Sequence, residues 1–183
     1  PEQVIFTASG TEANNLAVSG ILKKSGVVKK RPVILASPIE HSSVMRNLEM
    51  WRESGYDLKL LRVDQGGGID LGDLEEKLSS KVAIVSVMAV NNEIGTIEPI
   101  VQIGKLIKQK DPNIVFHVDA IQAFGKIPID FQGWNADLLT LSSHKIHGPA
   151  GAGALIIQKG IELCPVLYGG GQEYGIRSGT ESV

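Results

Sequence analysis

Val82-Ala83-Ile84-Val85-Ser86-Val87, then Pro99 through Lys110, then Ile114-Val115-Phe116-His117-Val118: the reading of these three segments decides the fold. The first is a continuous apolar run rich in β-branched residues, as a strand buried on both faces requires. In the second, Pro99 opens a helix that places Ile100, Ile103, Leu106 and Ile107 on one face. The third is another short apolar strand. Strand, one-faced helix and strand in that order form the unit from which parallel sheets are built.

The alternation extends in both directions. Upstream, Val4 to Thr7 reads as a strand and Leu16 to Leu22 as part of a helix. Val33 to Ser37 is strand-like, and Ser43 to Glu53 spaces Val44, Leu48 and Trp51 at helical intervals. Leu58 to Val63 reads as a strand, Gln65 to Gly68 as a turn, and Leu71 to Leu78 as a helix. Downstream come the strands Leu138 to Leu141 and Ala154 to Ile157. The pattern predicts an α/β domain, three layers deep (α/β/α), its mainly parallel, mixed sheet covered by helices on both faces. In such sheets ligands bind at the carboxyl ends of the strands.

Composition narrows the function classes. The chain has 183 residues, enough for one domain with a sizeable core. Its net charge of -2 supplies no basic field for nucleic acid or anionic lipid. Lys29, Lys30 and Arg31 read as a solvated loop. No apolar run reaches membrane-spanning length and no signal peptide opens the chain. The single cysteine, Cys164, excludes an intrachain disulfide and points to a reducing, cytoplasmic compartment. The chain opens on Pro1 rather than Met and ends in Thr180-Glu181-Ser182-Val183 without a stop signal, so a piece of a longer polypeptide is expected.

Several polar clusters fall at strand ends. Ser9-Gly10-Thr11-Glu12 joins a strand to a helix, where backbone N–H groups and the helix dipole suit an anion; an ordinary N-cap is the competing reading. Asp119, with Gln122 three residues on, can hold a protonated ring nitrogen or serve as a helix cap. Ser142-Ser143-His144-Lys145-Ile146-His147-Gly148-Pro149 follows a strand and ends in a turn. A lysine there, partly buried among histidines and hydroxyls, would have the lowered pKa that an amine needs to form an imine. His144 and His147 also permit a metal reading, although no acidic third ligand lies nearby in sequence. His41 can lie flat on an aromatic cofactor or merely start a helix. Asn91-Asn92-Glu93-Ile94-Gly95 reads as a turn on its own, and His117 as a core residue.

Taken together, Phe6-Thr7-Ala8-Ser9-Gly10-Thr11-Glu12-Ala13-Asn14-Asn15, Glu40-His41, Asn91 to Gly95, His117-Val118-Asp119-Ala120-Ile121-Gln122, Ser142 to Lys145 and Gly169-Gly170-Gly171-Gln172-Glu173 resemble cysteine desulfurases. The likeness is to the nitrogen-fixation and iron–sulfur-cluster type within the class V aminotransferase-like enzymes, and it covers essentially the whole chain. It implies the large domain of a type I transferase that uses pyridoxal 5'-phosphate (PLP). It implies that residues 1–183 form that domain, without the family's opening segment and smaller C-terminal domain.

By matching motif, the resemblance implies that Lys145 carries PLP as an imine and shuttles protons, with Asp119 on the pyridinium nitrogen. Gln122 and Asn92 would contact the phenolic oxygen and the substrate side. His41 would stack on the ring and help move protons. Gly10, Thr11, Ser142 and His144 would hold the phosphate, and Thr180 would reach the phosphate of a partner subunit in a homodimer. The implied reaction takes sulfur from L-cysteine, leaves L-alanine, and passes an enzyme persulfide to acceptors such as an iron–sulfur scaffold. Neither the persulfide cysteine nor the substrate-gripping arginine has a match here, so the chain alone should not complete the reaction. Cys164 reads as a packed small hydrophobe, and Tyr174 stands where the family has arginine. Other readings are a selenocysteine lyase or another class V lyase or aminotransferase, a non-catalytic sulfur-transfer scaffold, and a metal hydrolase built on His144 and His147.

Overall fold

The structure is a computed structural model that describes residues 4–24 and 27–180. Readings of Pro1 to Gln3 and of Glu181 to Val183 lie outside these residues.

Seven strands form one sheet in the order β1-β7-β6-β5-β4-β2-β3. They are β1 (Val4–Thr7), β2 (Val33–Ala36), β3 (Asp57–Leu60), β4 (Val82–Met88), β5 (Val115–Asp119), β6 (Leu138–Ser142) and β7 (Gly153–Ile157). The strands β3, β2, β4, β5 and β6 run parallel, while β7 pairs antiparallel with both β6 and β1. The expected mixed, mainly parallel sheet is therefore present.

The helices are α1 (Gly10–Leu22), the single turn α2 (Val27–Lys30), α3 (Ser42–Glu53), α4 (Leu71–Lys77) and α5 (Ile100–Lys110). Two cores flank the sheet. One gathers Leu16 and Ala17 of α1 and Val44 and Leu48 of α3 against Ile34, Ile84 and Leu138. The other gathers Leu74 of α4 and Ile103 and Ile107 of α5 against Leu35, Val85, Val87 and Phe116. Successive strand residues face opposite sides, so a strand sandwiched this way is apolar at every position. All residues of β4 are buried, the Val82 to Val87 run included.

Some boundaries differ from the sequence expectation. The strand expected over Leu58 to Val63 ends at Leu60, and Val63 keeps only an isolated bridge to Ile69. This is the sheet's outer edge, with no neighbour beyond it to extend the pairing. Pro99 is the N-cap of α5 rather than its first residue. Lys29 and Lys30 close the α2 turn instead of lying in a loop, and both are exposed.

Candidate active site

The carboxyl ends of β4, β5 and β6 and the N-terminus of α1 enclose a cleft of about 290 Å³. Ser9, Gly10 and Thr11 line one side; His41, Ser43 and Asn92 another; Asp119, Ile121 and Gln122 the floor; His144 and Lys145 the rim. Of the ten residues singled out from the sequence, eight meet here. The remaining two, Ser142 and Thr180, do not line the cleft. Ser142 is buried directly behind it, its Oγ hydrogen-bonded to Nδ1 of His144 at 2.8 Å. Thr180 is exposed and outside it.

The α1 end is built by its sequence. Ser9 is the N-cap, and its Oγ accepts from the Glu12 N–H at 3.1 Å. Glu12 turns back to accept from the Ala8 N–H at 2.6 Å, and Arg177 grips its other oxygen at 2.7 Å. Burial pushes the Glu12 carboxyl up, but Arg177 and the Ala8 N–H outweigh it and hold the group below its usual range. The N–H groups of Gly10 and Thr11 have no intrahelical acceptor, and both residues line the cleft. Gly10 allows the close approach: a Cβ there would sit 2.3 Å from Ile121 Cδ1 and 3.2 Å from Ser142 Cβ.

Asp119 is the last residue of β5 and is buried. Its Oδ1 accepts from the Ile121 N–H at 2.9 Å and its Oδ2 from the Asn14 amide at 2.8 Å. Burial raises its pKa, against the pull of those two donors and of the His41 ring. Gln122 accepts from Lys126 Nζ at 2.6 Å through its carbonyl oxygen, which leaves its NH₂ group to face the cleft.

Lys145 lies on a 3-10 turn, Ser143–Ile146, that leaves the end of β6. The sequence reading expected a partly buried amine; instead Lys145 is exposed, because this short turn sits at the rim with no element packed over it among the described residues. His147 ends the same turn in the left-handed conformation, φ 62°, and is exposed outside the cleft. His144 and His147 therefore do not converge, and no cluster of three or more His, Cys, Asp or Glu side chains suited to a metal occurs among the described residues. Cys164 is half-buried rather than fully packed, since it lies on the surface segment after β7, its N–H bonded to the Gly20 carbonyl at 2.9 Å. Tyr174 is exposed, with φ at 58° in the left-handed region; nothing in the structure explains a tyrosine at that position.

Three residues of this site took no role from the sequence reading, although Asn14 and Glu40 lie inside the stretches that carry the resemblance. Asn14 and Ser43 join Asp119 to His41 through hydrogen bonds. Glu40 is buried and accepts the Met88 N–H at 2.6 Å, while its second oxygen finds no hydrogen-bond partner among the described residues. Burial, reinforced by nearby Asp119, pushes its pKa well above the usual range.

The sequence model for class-V aminotransferases matches residues 1–182. The chain belongs to the class-V aminotransferase family. Curated class-V relatives include a cysteine desulfurase IscS of Dictyoglomus turgidum, 41% identical over 182 residues, and cysteine desulfurase 2 of Trichormus variabilis, 44% identical over 181. The matches take in 100% and 99% of this chain but 45% and 44% of those relatives, so the chain spans less than half their length. A solved NifS-like protein superposes with a TM-score of 0.94 at 37% identity, over 99% of this chain and 49% of its own.

Class-V enzymes of this kind depend on PLP, and the cleft suits that cofactor. A raised, buried carboxyl such as Asp119 calls for a cationic partner, which a pyridinium N–H supplies. Ser9, Gly10 and Thr11 at the α1 N-terminus line the cleft, where a phosphate is favoured. Lys145 lines the same cleft.

Proposed function

We propose that this chain is the cofactor-binding core of a PLP-dependent cysteine desulfurase, which takes sulfur from L-cysteine, leaves L-alanine and hands the sulfur to acceptor proteins such as an iron–sulfur scaffold. The observation that carries the reading is the meeting of Lys145, Asp119, His41, Gln122 and the α1 N-terminus in one cleft. Relatives named as cysteine desulfurases support the substrate, as does a solved relative, described as SspA in complex with cysteine, that is 37% identical with a TM-score of 0.92.

When bound, the cofactor supplies an electron sink that makes loss of a Cα proton accessible. The chain's own groups have separable tasks. Lys145 would hold the cofactor through Nζ, and that amine would hold or return a proton. The Asp119 carboxylate would hold the ring nitrogen. The N–H groups of Gly10 and Thr11, with Ser142 and His144, would hold the phosphate. Gln122 and Asn92 would contact the ring's oxygen and the substrate side, and His41 would lie against the ring. Thr180 would serve a second copy, in keeping with its exposure outside the cleft, so a homodimer is part of the proposal. A cytoplasmic location belongs to it on separate ground, the single cysteine.

Incubation with PLP, borohydride reduction and peptide mapping test it. The expected result is one phosphopyridoxyl adduct, on Lys145, lost in Lys145→Ala and weakened at least tenfold in Asp119→Ala. An adduct scattered over surface lysines of the full-length protein would sink the reading and favour a non-catalytic scaffold.

A further inference from the structure

His41 caps α3 in an uncommon way. Helix N-caps are normally Ser, Thr, Asp or Asn, whose oxygens can only accept from the helix N–H. Here the imidazole takes that place, and its Nδ1 accepts from the Ser43 N–H at 3.1 Å. A proton on Nδ1 would meet that N–H head on. The Ser43 Oγ lies 2.8 Å from the same nitrogen. Because Nδ1 already accepts from the Ser43 N–H it carries no proton, so the hydroxyl proton of Ser43 points at it. Behind it, Asn14 Nδ2 donates to the Ser43 Oγ at 2.9 Å and to Asp119 Oδ2 at 2.8 Å, which fills one acceptor position of the hydroxyl and leaves its proton for His41. The chain from Asp119 through Asn14 and Ser43 to His41 is thus oriented throughout, and its interior members are buried.

We propose that Asn14 and Ser43 are positioning residues that hold His41 as the tautomer with its proton on Nε2. Nε2 is bonded to no described protein group, and His41 lines the cleft. The ring therefore offers the site a hydrogen-bond donor, not a lone pair. Resting on the functional reading above, this makes His41 a hydrogen-bond donor to the bound substrate or cofactor, with Lys145 left as the group that takes a proton. The two tasks are separated by tautomer before any ligand arrives.

The test needs no cofactor. Long-range ¹H–¹⁵N NMR on the chain labelled at its four histidines, with His41 assigned by its loss in His41→Gln, reads which ring nitrogen carries the proton. The expected spectrum has a bare Nδ1 and a protonated Nε2. In Ser43→Ala and in Asn14→Ala the Nδ1 signal should move part of the way towards the protonated position, because the residue 43 N–H remains in both. In Ser43→Thr, which keeps the hydroxyl, it should stay. Where Asn14→Ala does not fold, Ser43→Ala and Ser43→Thr decide. A wild-type ring protonated on Nδ1, or a signal unmoved by removal of the hydroxyl, overturns the proposal. A Lys145 adduct formed alongside either result would leave the cofactor reading standing, so the two claims fail separately.

Discussion

At the scale of single residues, the site is set by carboxyls held away from water. Glu40 and Asp119 both have pKa values raised by burial, and Glu40 is raised further by nearby Asp119. A group whose folded pKa exceeds its unfolded one stabilises fully below the unfolded value, and that contribution is lost as pH rises through the raised one. Thermal unfolding midpoints should therefore decline from the ordinary glutamate range upward. Glu40→Gln keeps the shape and an acceptor for the Met88 N–H but cannot ionise. Its midpoint should decline less steeply over that window, leaving the Asp119 part of the slope. Equal slopes in the two proteins would mean that Glu40 does not titrate there. The residues that sequence alone exposed are those whose chemistry is tied to a strand end: Asp119 after an apolar run, Lys145 after another, Gly10 at a helix start. The roles of Asn14, Ser43 and Glu40 were illegible for a plain reason, although Asn14 and Glu40 lie in the stretches that carry the family resemblance. Asn14 finds its partners 29 and 105 positions away, and Glu40 its donor 48 away, so their roles exist only once the sheet has formed. The exposure of Lys145 was missed for the converse reason, since sequence does not say what covers a turn.

At the scale of elements, α5 shows how closely a helix can be drawn onto the loop before β6. A Cβ on Gly104 would sit 2.0 Å from the Trp134 carbonyl oxygen, a backbone atom that cannot swing aside. In an exposed helix, glycine to alanine gains about 1 kcal/mol. Here Gly104→Ala should instead lose about 1–3 kcal/mol, the usual cost of overpacking, as read by urea unfolding. Periodicity located the helix because Ile100, Ile103 and Ile107 carry it; the requirement for glycine lies in the partner loop, which no helical pattern records. Edges behaved in the same way. The central strands were legible because both faces are apolar, whereas β3 was drawn too long because its outer side has no neighbouring strand to mark where pairing stops.

For the whole molecule, the sheet divides two cores that share no side chain. Leu48 belongs to one and Ile103 to the other, and both are fully buried. Leu48→Ala and Ile103→Ala should each cost about 2–5 kcal/mol by chemical denaturation. Because they sit on opposite faces, the double variant should equal the sum to within about 0.5 kcal/mol. A shortfall well beyond that would show that the sheet transmits strain from one core to the other.

The pairing of β1 with β7 also says something about the order of events on the ribosome. Among the described residues Val4 to Thr7 finds its one strand neighbour in Gly153 to Ile157, antiparallel and far along the chain. The parallel strands between can find their neighbours as they emerge, but β1 has no place until β7 has been made. Helix α1 follows β1 directly, so the α1 corner of the cleft is made well before the strand that pairs with β1. During synthesis that apolar helix waits for its sheet, the interval in which a chaperone would have most to do.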